Sequence, residues 1–455
     1  MSKRILSLCV FAGFILSAVV ALEAQTDPAI TVWLQNNSIK GRHYMKGNPT
    51  PIEDNVLANV QKVQYSDDWV YIYTRGIPAY ITGPFLDGNP SLATDRNAIF
   101  RFPRKPVKNT GTPVNINLGN IGNFINGVAL FDARDAASWS TASNSMKGGP
   151  FGGMGDNVWN RDAIPAERIG FDCAKAHPAM GNYHHHQNPS SFNLDLEVIS
   201  NVCDLYPSDG LYVIDSTKHS PLLGFAYDGF PIYGAYGYKN ADGTGGIVRI
   251  KSGWELRNIS KRTTLWTGET VKSGPDVNST YPLGYFREDY GYVASSDPAV
   301  LDRHNGRFCI TPEYPQGTYC YFATVDKEWN SAYPYAVGPT YYGTKVAGKV
   351  TSVNEVVTTY IVSTSSTTEN GEAIFVTAFP NPASDVLAIQ VGSLVRQSVD
   401  FSLIDAAGRV VQTGQIVQGS TMSVLDVSTL YAGTYTLLCQ IGGKKHNVQV
   451  VIRRE

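Results

Sequence analysis

Charge is thin in this chain. Charged residues make up 17% of its 455 positions, and Lys+Arg 37 nearly balance Asp+Glu 39, for a net charge of −2. No basic stripe, acidic tail or polybasic patch is present, which excludes nucleic acid as an expected partner. No G-x-S-x-G elbow and no glycine-rich phosphate loop occur. No amphipathic run of helical period extends beyond two or three turns, so a helix bundle is excluded. Past the N-terminus, no apolar run reaches the roughly 18–20 residues that a spanning helix needs, so no transmembrane segment is expected in the mature protein. Histidine is scarce, with 8 in the whole chain.

Turn formers and aromatics are abundant instead. There are 43 Gly, 25 Pro and 26 Tyr, and hydrophobic residues reach 43%, enough for a sizeable core. Many turns with many aromatics favour short strands joined by long loops. Val70–Thr74, Tyr212–Ile214, Gly246–Ile250 and Cys320–Thr324 read as strands, and short helices are expected within 187–202 and from Leu256 onward. The expected fold class is mainly β: a decorated β-sandwich-like central domain with long loops, plus a small C-terminal β-sandwich.

The N-terminus reads as a secretory signal peptide, residues 1–24. Lys3 and Arg4 precede a nearly wholly apolar run from Ile5 to Leu22, and Leu22-Glu23-Ala24 offers a small residue at the cut. At the other end, Phe379-Pro380-Asn381-Pro382-Ala383-Ser384-Asp385 opens a stretch of alternating strands. Leu403-Ile404-Asp405-Ala406-Ala407-Gly408-Arg409-Val410 follows, then Leu425-Asp426-Val427-Ser428-Thr429-Leu430-Tyr431-Ala432-Gly433-Thr434-Tyr435. Residues 376–455 resemble the C-terminal sorting domain of the type IX secretion system. The resemblance implies a Bacteroidota-type cell, the secretion machinery as partner, and export to the outer surface or beyond. Residues 346–375, with Ser-Thr-Ser-Ser-Thr-Thr-Glu-Asn-Gly at 363–371, have the composition of a flexible linker.

Of the 6 Cys, four fall in the central region: Cys173, Cys203, Cys309 and Cys320. An even number in an exported chain points to disulfides. Cys309 and Cys320 flank a Pro-Glu-Tyr-Pro-Gln-Gly turn between two candidate strands, which favours their pairing. Cys173–Cys203 would then clamp the segment between them; soft metal ligation by these two is the rival reading.

That segment holds four of the eight histidines within ten positions: His177, His184, His185 and His186. On an extended strand alternate side chains share a face, so His184 and His186 point one way and His185 the other. A turn through Pro178–Gly181 could return His177 to the same face. Neutral imidazole suits Zn, Cu, Ni and Fe. Farther on, His219 and Asp228 lie in a Tyr- and Gly-rich stretch with Asp228-Gly229 as a hairpin signal. Either residue could complete a metal's coordination or orient a ligand from behind.

These residues together resemble the YHYH domain family. Asp172-Cys173-Ala174-Lys175-Ala176-His177-Pro178 precedes the tetrad, and the stretch from His219 to Gly234 follows it. Gly122 to Phe131, Leu301 to Arg307 and Thr311 to Tyr319 also fit. The resemblance spans about 110–340 within a central region taken as 25–345. The tetrad here is Tyr183-His184-His185-His186, with His185 in place of the family's second Tyr. The resemblance implies a fold and a site position but no reaction.

Three functional classes follow. The first is a secreted cell-surface protein holding copper or zinc through His177, His184 and His186, assisted by His219 or Asp228. The second is a metal-dependent enzyme, a hydrolase or a copper redox enzyme, supplied with Asp172, Asp228, His304 and Arg307. The third is a non-catalytic adhesin or glycan-binding module using Trp254, Trp266, Tyr285, Tyr290 and Tyr292. Glu167 reads as packing for the loop before the histidines.

Overall fold

A computed structural model describes residues 27–87, 91–197, 200–360, 364–369, 372–391, 398–416, 422–441 and 444–454. The expected signal peptide, 1–24, lies outside the described residues. The chain divides into two compact units, one of Lys40–Gln61 with Tyr73–Val353, the other of Met1–Ile39, Lys62–Ile72 and Asn354–Glu455.

The larger unit is built on an eight-stranded mixed sheet. Its strands are β1 (Asn120–Phe124), β2 (Ala129–Phe131), β3 (Ala176–Ala179), β4 (Asn182–His185), β5 (Leu222–Ala226), β6 (Pro231–Tyr233), β7 (Gly306–Cys309) and β8 (Thr318–Phe322). They lie side by side in the order β3-β4-β2-β1-β5-β6-β8-β7. β4 runs parallel to β2, and β6 parallel to β8; the other neighbours are antiparallel.

Local chemistry sets the β3–β4 hairpin. Its turn residues Met180 (φ 47°) and Gly181 (φ 78°) both take left-handed backbone, the conformation that matches the twist of a tight hairpin. A Cβ on Gly181 would also meet Thr94 Oγ1 at 2.2 Å. Pro178 cannot donate to a ladder and sits on β3, the edge of the sheet, where that is tolerated. In register, His177 faces His184 and Pro178 faces Tyr183.

One side of this hairpin packs into a core of Tyr80, Phe85, Val128, Ala174, Ala176 and Tyr183. A second core gathers Phe171, Cys173, Phe192, Cys203, Trp254 and Tyr333. Cys173 and Cys203 are disulfide-bonded across 30 positions, which ties down the segment carrying the histidines. Cys309 and Cys320 differ from expectation: both are buried free thiols. The register explains the difference. Cys309 opposes Thr318 and Cys320 opposes Arg307, a diagonal placement in which the thiols contact without bonding covalently.

Other local readings also shift. Tyr212–Ile214 forms no strand, and Leu256 ends a strand, Trp254–Leu256, instead of opening a helix. From a loop, Ile214 is buried against Ala235, Tyr236 and Val325 with Tyr212 beside it, while Val213 faces outward. Within 346–375, where a linker was expected, Gly348–Val350, Thr358–Tyr360 and Thr364–Glu369 are strands. Their Val and Thr residues suit extended backbone.

The C-terminal part is a two-sheet arrangement. Thr364–Glu369, Glu372–Phe379, Val386–Val391 and Met422–Asp426 form one four-stranded sheet; Val410–Ile416, Val399–Ile404, Gly433–Ile441 and Lys444–Ile452 form the other. Their inner faces bury Leu387, Ile389, Leu403, Leu437, Val448 and Val450. The fold is mainly β, as the composition implied.

Candidate metal centre

The alternation on β4 separates the histidines as expected. His177, His184 and His186 share one face, and one ring nitrogen from each lies within 4.8 Å of the others. His186 follows the last residue of β4, at a bend, and its ring still meets that of His184, with centroids 4.8 Å apart. His185 points the opposite way, its Nε2 2.7 Å from the Tyr80 hydroxyl and its ring edge-on to Phe124. Burial pushes its imidazole down to about 3, so it stays neutral in a packed environment.

The geometry of the shared face is specific. His184 Nδ1–H donates to the Asn182 carbonyl at 2.9 Å, and His186 Nδ1–H donates to the Asp132 carbonyl at 2.5 Å. Both rings therefore turn Nε2 toward the other, and these atoms are 3.1 Å apart. Phe131 stacks on His184 with ring centroids 3.8 Å apart and fixes that ring's plane. His177 sits beside them with its ring edge-on to Phe171; all three histidines are buried.

A carboxylate adjoins two of these rings. Glu167 Oε2 is 3.0 Å from His186 Nε2 and 3.3 Å from His177 Nε2. Neither this oxygen nor the two His177 nitrogens has a hydrogen bond of good geometry, although all are buried. Glu167 ends the short helix α1 (Ala163–Glu167). Asp162 caps that helix through the Ile164 N–H and accepts from the Tyr335 hydroxyl at 2.7 Å. Ala163 N–H bonds the Ala133 carbonyl, so α1 is held at both sides of its first turn.

Charge follows from burial and neighbours. Burial raises Asp162 to about 8 despite its hydrogen bonds. Burial opposes charge on His177, but the carboxylates of Asp87 and Glu167 overcome it and raise that ring to about 9. Burial also works against ionised Glu167, yet the adjoining His186 and His177 hold its carboxyl far below the usual range. Burial and the two neighbouring histidines push His184 well below an ordinary imidazole.

Of the other expected ligands, neither joins this group. His219 precedes β5 and Asp228 follows it, and β5 is three positions from β4 in the sheet. His219 packs against Tyr233 and Tyr238 and donates from Nδ1 to the Ser220 carbonyl. Asp228 accepts from the Tyr321 hydroxyl and from the Phe230 and Gly343 N–H groups, which makes it a turn anchor.

The residues offered for catalysis are likewise engaged in structure. Asp172 accepts from Gly83, Ala174 and Ala176 N–H groups and from the Tyr183 hydroxyl. Arg307 donates to the carbonyls of Tyr238, Lys239 and Pro298, and His304 contacts Thr340. The aromatics proposed for sugar stacking mostly pack on one another, Trp254 with Trp266, Tyr292 and Tyr333, and Tyr285 with Tyr281 and Phe286.

The sequence reading missed Glu167 as part of the site. It belongs to no histidine motif, and only the capped turn of α1 carries it there.

Residues 99–334 match the YHYH protein family. The chain belongs to that family. Its tetrad, Tyr183-His184-His185-His186, is the β4 segment just described. Residues 377–453 of this YHYH protein match the secretion system C-terminal sorting domain. The protein is therefore sent through the type IX secretion machinery to the cell surface or outside. Among the described residues no helix is long and apolar enough to cross a membrane. No curated protein matches the chain. Among solved structures, a DUF3244 family protein with an immunoglobulin-like β-sandwich fold from Bacteroides vulgatus is 19% identical. It covers 18% of this chain and 83% of its own, with a TM-score of 0.15.

Proposed function

We propose that this exported YHYH protein binds one transition metal ion through His177, His184 and His186, with Glu167 as the fourth ligand. The observation that carries the reading is the 3.1 Å approach of His184 Nε2 to His186 Nε2 while both Nδ1 atoms serve backbone carbonyls. Two nitrogens each about 2.0–2.1 Å from a tetrahedral ion stand roughly 3.3 Å apart. Without an ion, two buried Nε2 atoms crowd each other beside the Glu167 carboxylate. With one, both are satisfied, and the carbonyl-bonded Nδ1 atoms give the outer support that ligating histidines usually have.

Three imidazoles and a carboxylate form a borderline donor set, suited to zinc or copper(II). The buried, hydrogen-bond-deficient atoms of His177 and Glu167 fit the same account. The reading also takes 1–24 as a cleaved signal peptide and 376–455 as the sorting tail. Titration of chelator-treated protein with zinc and with copper(II) tests it. Saturable binding at one ion per chain is expected; absence of saturable binding of both ions overturns it.

A further inference from the structure

A second polar space lies on the same face of the eight-stranded sheet. It is a cavity of about 220 Å³ whose lining includes Arg96, Lys349, Asn120, Asn123, Asn182 and the ring of Tyr227. Ala129 forms part of its wall and pairs with His184 on one side and Asn123 on the other. Cross-strand partners share a face, so this cavity and the histidines are neighbours on one surface of the sheet. None of the four proposed metal ligands lines it.

The polar atoms around it are incompletely paired. Asn123 is 1% exposed; its Nδ2 donates to the Gly127 carbonyl at 3.3 Å, and its Oδ1 accepts nothing. The buried Tyr227 hydroxyl adjoins Asn120 without a hydrogen bond of good geometry. Buried polar atoms are nearly always paired, so these two call for a polar occupant. Arg96 donates to the Met180 carbonyl at 3.3 Å, and neither it nor Lys349 has a carboxylate partner among the described residues.

We propose that this cavity binds a small hydroxylated carboxylate, of the size and chemistry of a single uronic-acid unit. Arg96 and Lys349 supply the charge for the carboxylate. Asn182 Nδ2 donates to Asn120 Oδ1 at 3.2 Å, and the remaining donor and acceptor positions of these two amides and of Asn123 serve hydroxyls. Phe100 and Tyr227, stacked with centroids 6.2 Å apart, offer aromatic surface to the C–H face of a sugar ring. The space is below the roughly 300–1,000 Å³ of drug-sized pockets, which limits the occupant to about a dozen non-hydrogen atoms.

Isothermal titration calorimetry of the full chain with glucuronate and galacturonate tests the assignment, with glucose and acetate as comparisons. Each titration is run with and without a chelator, which separates this site from the metal. Saturable uronate binding is expected, about tenfold or more tighter than glucose or acetate and unchanged by chelation. Lys349→Gln, at an exposed strand position, should weaken it severalfold, and Arg96→Gln with Lys349→Gln about tenfold or more at an unchanged melting temperature. No saturable uronate binding, equal binding of glucose, or indifference to Lys349→Gln overturns the proposal.

Discussion

His184 and His186 bring their Nε2 atoms to 3.1 Å, each ring held from behind by a backbone carbonyl. The pairing follows from a two-residue strand period and an edge hairpin; His177 joins the same group, and Glu167 adjoins His177 and His186.

Glu167 is the residue whose role separates a ligand from a bystander. As a ligand it contributes directly to affinity, so Glu167→Gln should weaken zinc or copper binding about 10–100-fold, the range seen when support of a metal site is lost. Far-ultraviolet circular dichroism should be unchanged. Equal affinity in the variant removes Glu167 from the coordination sphere.

His185 faces away from the ion, toward Tyr80 and Phe124. His185→Tyr, which restores the tetrad of the YHYH family, should leave metal stoichiometry unchanged. Loss of bound metal in that variant would show that the two faces of β4 are not independent.

The Cys173–Cys203 bond closes 30 residues around the histidine hairpin. By the chain-entropy relation a loop of that length stabilises the fold by roughly 3–4 kcal/mol. Cys173→Ser with Cys203→Ser should lower urea stability by about that amount. A change below about 1 kcal/mol would place the constraint elsewhere.

His219 gives a pH signature distinct from the metal site. Burial depresses its ring from 6.5 to about 4. The unfolded chain takes up a proton near pH 6.5 that the folded chain refuses, so this contribution is full above 6.5 and is lost as pH falls toward 4. The wild-type protein should lose roughly 3 kcal/mol more than His219→Gln across that window. Asp228 runs the other way, because burial raises it from 3.8 to about 6 and its contribution is lost as pH rises through that range. Parallel urea midpoints for wild type and His219→Gln from pH 7 to 4 would contradict the assignment.

Much of this site was legible because it is local. The alternation of His184, His185 and His186, and the return of His177 through a turn ending in Gly181, need only strand geometry. His219 and Asp228 were misplaced because sheet order is not written locally: two strands, β2 and β1, stand between β4 and β5. Glu167 was missed for the same reason in reverse, since a helix capped by Asp162 brings it in from outside the motif. The Cys309–Cys320 expectation rested on a hairpin that exists, but its register sets the two residues diagonally. The β class followed from turn and aromatic content, whereas the strands inside 346–375 were hidden by a Ser- and Thr-rich composition that also suits a linker.

Metal content of the intact protein, measured by mass spectrometry after zinc or copper loading and dialysis, tests the central claim most directly when wild type is set beside His184→Ala with His186→Ala. The account predicts one ion per chain in the wild type and none retained in the double variant. Equal metal in the two proteins, or none in either, would contradict it.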